Sequence, residues 1–267
     1  MEIQLWREIL DPYVLAVDEI VTKFEHIIGS YRKMGQYSPI EKVQGRVKTI
    51  SSILEKAQKK KIDLDRFEEE IDDIAGVRII CQFTDDIYKV VEMIRKRSDM
   101  IVTSERNYVE NAKPSGYRSY HMNVLYTVET LNGPKQLVVE IQVRTLAMDF
   151  WATVEHSLQY KYKQNMPDNL RTQLLEASES VTDLDKGMSS IREEIMDAQN
   201  SFNIKAHLVA DILTNIQNLY KLANKREILK IQDEFLKVFE TGDLQQLERF
   251  HKELDIISEG YRAQSLK

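Results

Sequence analysis

Along residues 6–31 the apolar positions fall at Trp6, Leu10, Tyr13, Val17, Ile20, Phe24, Ile27 and Tyr31. Their alternating steps of three and four predict an amphipathic helix with one seam. Pro12 marks a point where that helix can restart, because proline suits a first helical turn. A second set at Ile40, Val43, Val47, Ile50, Leu54 and Ala57 predicts a helix over 39–60. From 74 to 144 the period shortens to two. "IAGVRIICQF" reads as a strand, a helix follows near 85–97, and further strands fall near 100–109, 117–130 and 136–144. The last two are joined by "LNGPK", whose Asn-Gly pair signals a hairpin. Helix returns at 146–163.

After Pro167 the pattern is helical throughout. Leu170, Leu174, Ala177, Val181, Leu184, Met188, Ile191, Ile195, Ala198 and Phe202 keep a heptad register that suits self-association. More amphipathic helices follow, with a break at "TGD", 241–243. The whole predicts an α/β protein: a mixed β-sheet flanked by helices, with a helical C-terminal extension.

Composition narrows the partners. Of 267 residues, 42% are hydrophobic and 30% charged, enough for one substantial core plus an appendage. The net charge of −6 argues against a surface that wraps duplex DNA, while leaving room for local basic pockets. The single cysteine, Cys81, admits no intramolecular disulfide and fits a reducing compartment. "MEIQLWREIL" lacks an apolar signal core, and no uncharged run approaches the ~18 residues of a membrane span. These features predict a soluble, cytoplasmic protein.

The chemistry concentrates in a few segments. "PSGYRSYHMNVLY", 114–126, reads as a turn and then a strand, placing Tyr117, Ser119, His121 and Asn123 on one face. A stackable ring, an imidazole and an amide beside Lys113 suit a nucleotide better than a core. Lys48, Ser52 and Lys56, spaced i, i+4, i+8 after Arg46, would line one side of the second predicted helix. That side suits a polyphosphate, although a lysine stripe by itself reads more readily as a solvated face. In "EEEIDDIAGVRIICQF", Asp72 and Asp73 precede a strand that carries Arg78, whose charge needs a partner among aliphatic neighbours. A carboxylate there suits Mg²⁺ beside phosphate, or is simply a helix-end or turn residue. In "LVVEIQVRT", Val139, Ile141 and Val143 share one face and Glu140, Gln142 and Arg144 the other. Glu140 near Asp73 would give two carboxylates for metal binding and proton abstraction; a ladder of cross-strand ion pairs would look similar. No GxxxxGK[ST], GxGxxG, HExxH or zinc spacing occurs. Of the remaining histidines only His156, in "FWATVEHSLQYKY", invites a functional reading.

Taken in order, "SPIEKVQGRVKTISSILEK", "DDIAGVRIICQF", "SGYRSYH" and "VEIQVRTLAMDFWATVEHSLQYKY" resemble the RelA/SpoT-homologue synthetases, specifically the small alarmone synthetases of the RelQ type. The resemblance runs from about Trp6 to about Phe202. It implies a synthetase domain over 1–202 with a nucleotidyltransferase-like fold, and an extension over 203–267. It also implies a reaction: transfer of the β,γ-pyrophosphate of ATP to the ribose 3′-hydroxyl of GTP or GDP, with Mg²⁺, giving (p)ppGpp and AMP. By motif position, Arg46 and Arg78 would sandwich adenine, and Lys48, Ser52 and Lys56 would hold the ATP phosphates. Asp73 and Glu140 would hold the metal, with Glu140 as general base. Tyr117 would stack on guanine, with Arg106, Lys113 and His121 around the acceptor. Stacking discriminates weakly between bases, so neighbouring polar groups must supply guanine specificity.

Two departures qualify the resemblance. No His-Asp dipeptide occurs, which implies no hydrolase activity. RelQ-type enzymes form tetramers whose central cleft binds product and activates them; the positions associated with that cleft are here Glu25, Lys42 and Asp149, which argues against activation by pppGpp. Three competing readings remain at the level of sequence. A toxic relative would pyrophosphorylate the 3′ end of tRNA, a non-catalytic regulator would bind nucleotides or single-stranded RNA, and a helical adaptor would use only residues 168–267.

Overall fold

The computed structural model describes residues 3–162, 167–220 and 224–265. Helix α1 (Ile3–Lys33) runs straight through Pro12 rather than restarting there. Its seam residues Trp6, Tyr13, Val17, Ile20 and Phe24 are buried. They pack on a five-stranded sheet built from β1 (Lys42–Val47), β2 (Ala75–Cys81), β3 (Met100–Asn107), β4 (Tyr120–Thr130) and β5 (Gly133–Thr145). The strand order is β1-β2-β5-β4-β3, with β2 and β5 parallel and the other neighbours antiparallel.

The predicted helix over 39–60 is two elements. Residues 42–47 form the edge strand β1, with Val43 opposite Ile79 and Arg46 opposite Gly76. Helix α2 covers only Ile50–Lys60, capped by Thr49, whose side chain accepts from the Ser52 amide. The reason lies at Gly45. A Cβ there would come within 2.2 Å of a Val17 methyl and 2.9 Å of a Val21 methyl. The missing side chain lets α1 lie directly on the strand, and the apolar residues at 40, 43 and 47 matched a helical period by coincidence. A glycine inside a helical pattern was the sequence's own warning.

The sheet has one dry and one polar face. Met122, Val124, Tyr126, Val139, Ile141 and Val143 are buried in the main core, together with Ile87, Val90, Val91 and Ile94 of α4 (Thr84–Arg95). The alternate residues of the same strands make up the opposite face. Register aligns Gly76 with Glu140, Arg78 with Gln142, and His121 with Gln142. The strand predicted from 117 begins at Tyr120, so Tyr117 belongs to the approach loop. Short helix α3 (Phe67–Glu70) precedes β2, and α5 (Leu146–Tyr162) follows β5. Residue 163, the end of the helix predicted there, lies outside the described residues.

Beyond Pro167 come α6 (Asp168–Leu219), α7 (Lys225–Thr241) and α8 (Leu244–Ser265). The predicted break is present: Gly242, at φ +72°, ends α7 in the left-handed region. The chain divides into two compact units, residues 1–190 and 191–267. Within the first, Leu174, Ser178, Val181 and Asp185 form one stripe of α6 facing the sheet unit. Trp151 Nε1 donates to the Leu174 carbonyl at 2.9 Å and Thr145 Oγ1 donates to Asp185 at 2.7 Å. The contact stripe thus drifts off the predicted heptad seam, of which Leu184 and Met188 are exposed. The second unit has its own core of Ile212, Ile216, Leu219, Ile228, Phe235, Leu247, Phe250 and Leu254. No helix among the described residues is long and apolar enough to cross a membrane.

Candidate active site

Two adjoining cavities open on the polar face of the sheet. One, of about 620 Å³, is lined by Gln44, Arg46, Asp73, Arg78, Glu140 and Gln142 among others. The other, of about 650 Å³, shares Arg46, Arg78 and Gln142 and adds Tyr117, Arg144, Glu155 and His156. Alternation carries Glu140, Gln142 and Arg144 to this side of β5, and His121 to the same side of β4.

At the first cavity Asp73 sits in the turn before β2. Lys48 Nζ and Lys56 Nζ each reach its carboxylate at 2.6 Å. Burial alone would raise the Asp73 pKa, but the two ammonium groups outweigh it and hold the carboxyl below its ordinary range. Lys48 is in the connection between β1 and α2, not on the helix, so the predicted three-residue stripe is corrected to Ser52 and Lys56 on α2 with Lys48 brought in from the loop. Ser52 is drawn into the cap, its hydroxyl accepting from Thr49 Oγ1 at 2.9 Å.

The second group is a closed ring of hydrogen bonds. His121 Nδ1 lies 3.0 Å from Glu140 Oε1, and Gln142 Nε2 donates to Glu140 Oε2 at 2.6 Å. Arg144 Nη2 donates to Gln142 Oε1 and, at 3.0 Å, to Tyr117 Oη. Tyr117 Oη and His121 Nε2, 2.8 Å apart, complete it. A carboxylate only accepts, so His121 Nδ1 donates, and in the neutral ring Nε2 then accepts from the tyrosine. Burial would raise the Glu140 pKa, yet His121 and Gln142 lower it, leaving the carboxyl below its ordinary value. Burial raises the Tyr117 phenol, with Arg144 opposing.

Arg144 is almost fully buried and is the centre of this arrangement. Burial lowers its pKa while Tyr117, Asp149 and Glu140 support its charge. Asp149 on α5 lies 3.2 Å from Arg78 and 3.4 Å from Arg144. It is the partner that an arginine inside β2 requires. The Nε atoms of Arg78 and Arg144 are buried without a hydrogen-bond partner.

Arg46, Lys48, Lys56, Asp73, Arg78, Tyr117, His121 and Glu140 therefore converge on one region. Lys113 joins through its ammonium, 4.8 Å from the Tyr117 ring centre and 4.6 Å from that of Tyr108. Arg106 stands opposite His121 in the strand register, with an exposed side chain. Gln142 and Arg144 stand out in the sequence only as a polar strand face, and Asp149 only as a position that the resemblance gives to a product-binding cleft; nothing there shows the ring through Tyr117 or the hold of Asp149 on Arg78 and Arg144. Among the described residues no three His, Cys, Asp or Glu side chains gather as a metal cage. Asp73 and Glu140 nonetheless share one cavity and sense each other's charge. Two carboxylates beside lysines fit an ion that takes its other ligands from phosphates and water.

Comparison with known proteins follows the same outline. A family model described as a region found in RelA/SpoT proteins matches residues 45–165. GTP pyrophosphokinase YjbM of Bacillus subtilis (strain 168) is 49% identical over 205 residues, covering 77% of this chain and 97% of the relative. Small alarmone synthetase 1 from Bacillus subtilis, solved bound to its product pppGpp, superposes with a TM-score of 0.70 at 50% identity over 72% of this chain and 98% of that one. The same synthetase bound to AMPCPP gives a TM-score of 0.65 at 46% identity, covering 73% of this chain and 99% of that one.

Proposed function

The chain belongs to the RelA/SpoT family, and from that premise we propose that it is a GTP pyrophosphokinase making (p)ppGpp from ATP and GTP or GDP. The observation that carries the reading is the hydrogen-bonded link from Tyr117 and His121 to Glu140, in a region shared with the Lys48–Asp73–Lys56 cluster. One half suits an acceptor nucleoside and the other a polyphosphate donor, with a carboxylate between them.

In this reading the acceptor's ribose 3′-hydroxyl attacks the β-phosphorus of ATP. The bond from that phosphorus to the α,β-bridging oxygen breaks, and AMP leaves. Glu140, ionised in the neutral range, accepts the hydroxyl proton. Lys48 and Lys56 exchange Asp73 for phosphate oxygens, and Ser52 adds a hydroxyl donor; together they neutralise the charge that gathers as the reactants align. Arg46 and Arg78 flank adenine as flat cations, with Asp149 holding Arg78 in place. Tyr117 stacks on guanine, and His121, Lys113 and Arg106 surround the acceptor and its phosphates. Asp73 and Glu140 would hold Mg²⁺, which would polarise the transferred phosphoryl oxygens.

Residues 1–202 form the synthetase domain in this proposal and 203–267 a helical extension, and the protein is a synthetase without hydrolase activity. The 205-residue length of the match to YjbM is of the size such a domain would have. The protein acts in the cytoplasm as a homotetramer. The test is incubation of purified protein with Mg²⁺, γ-labelled ATP and GDP, GTP or deacylated tRNA. Label on a guanine nucleotide supports the proposal. Label on tRNA, or on no acceptor, rejects it.

A further inference from the structure

The acceptor loop is held from outside the sheet. Lys113 to Gly116 form a tight turn, with the Gly116 amide donating to the Lys113 carbonyl at 2.8 Å. Gly116, at φ +89°, adopts a backbone conformation that side chains disfavour. Its carbonyl accepts from Ser178 Oγ of α6, a buried hydroxyl. The contact is close: a Cβ on Gly116 would stand 2.8 Å from the Ser178 Cβ and 3.3 Å from a Leu175 methyl. Tyr117 is the next residue, so the peptide that Ser178 grips sets the direction from which the ring enters the site. Two features converge at one point, a glycine with no room for a side chain and a buried hydroxyl spent on its carbonyl.

We infer that Ser178 is a positioning residue for the acceptor nucleotide: α6 fixes the Gly116 peptide and thereby aims Tyr117. The inference rests on the acceptor reading of Tyr117 given above. Ser178 bonds the Gly116 carbonyl, whereas Lys48 and Lys56 are paired with Asp73, so its effect falls first on the acceptor. A residue that merely glued α6 to the domain would not discriminate between the two. Asp185, on the same stripe of α6, provides the contrast, because its partner is Thr145 and not the loop.

The experiment uses the full-length chain with Ser178→Ala and Asp185→Asn. It measures KM for GDP and for ATP, and the Kd of GDP by calorimetry. Loss of one buried hydrogen bond should weaken GDP in Ser178→Ala by about three- to tenfold in both KM and Kd, with the KM for ATP unchanged. Asp185→Asn should keep the wild-type ratio of the two KM values. Overturning results are an unchanged GDP affinity in Ser178→Ala, an equal loss for ATP, or the same GDP-selective loss in Asp185→Asn. If the wild type binds GDP but transfers no pyrophosphate, the proposed function fails while the GDP Kd still judges Ser178. A wild type that binds no guanine nucleotide rejects both.

Discussion

His121 presents its Nδ1 to Glu140, 3.0 Å from Oε1, across the β4–β5 pairing. The contact ties an acceptor-side ring to the proposed base and keeps the carboxyl ionised despite its burial. Glu140→Gln keeps the size and can still accept from His121, but it gives up the bond from Gln142 Nε2 and cannot take a proton. The synthesis rate should fall by about 10²–10⁴-fold with little change in either KM. A variant within tenfold of wild type would remove Glu140 from the proton transfer. Because the folded pKa is depressed, the acidic limb of kcat/KM should lie below the ordinary glutamate value of 4.5 and not near neutrality.

Asp73 makes a second case, since its carboxylate is neutralised by two lysines. Its folded pKa is lowered, so the pair contributes stability above the unfolded pKa and loses it as pH falls through the folded value. Asp73→Asn should therefore lower Tm at neutral pH, and the gap from wild type should close on acidification. Synthesis should drop by about 10²-fold or more, and EDTA should abolish it in the wild type until Mg²⁺ is restored. Full activity in EDTA would exclude the proposed metal role.

Much of the site was legible because a strand period of two sorts side chains without help from the rest of the fold. Val139, Ile141 and Val143 against Glu140, Gln142 and Arg144 fixed both faces of β5. The early helix over 39–60 failed for a tertiary reason, the seating of α1 on Gly45, which no local period records. Alternation extends back through 119 and so predicts a strand at Tyr117, whereas the turn at Lys113–Gly116 delays β4 until Tyr120. The hydrogen-bond ring through Arg144 joins a loop to two strands, and Ser178 is one serine in a long helix. Neither left a signal that spacing could detect.

Asp185 is buried on α6, and burial raises its pKa while the Thr145 hydroxyl partly offsets the effect. The sign is opposite to that of Asp73. A raised folded pKa contributes stability below the unfolded value and loses it as pH rises through the folded one. Asp185→Asn removes this dependence, so wild type should gain on the variant as pH falls from about 7 to about 4. Thermal melts across that range would check it; a constant or reversed difference would refute the assignment.

Asp149 bears on regulation. It faces Arg78 and Arg144, and together with Glu25 it stands at positions where the RelQ-type resemblance puts a product-binding cleft. Its carboxylate is committed to two guanidinium groups, and Glu25 is exposed and anionic. Paired in this way, Asp149 offers a polyphosphate no free cation of its own, and at Glu25 the approaching anion meets like charge, which is unfavourable and only partly screened by salt. Lys42 is a single compensating cation, and it lacks the aromatic face that would stack on a base. Added pppGpp should therefore leave the synthesis rate flat at saturating ATP and GDP. A rise in rate under those conditions would show that the cleft binds product despite its charge. Asp149→Asn tests the other role of this residue, its hold on Arg78 in the active site. Releasing Arg78 from its ion pair should raise the KM for ATP several-fold, since the guanidinium no longer has a fixed partner. An unchanged KM would mean that Arg78 is held by the sheet alone.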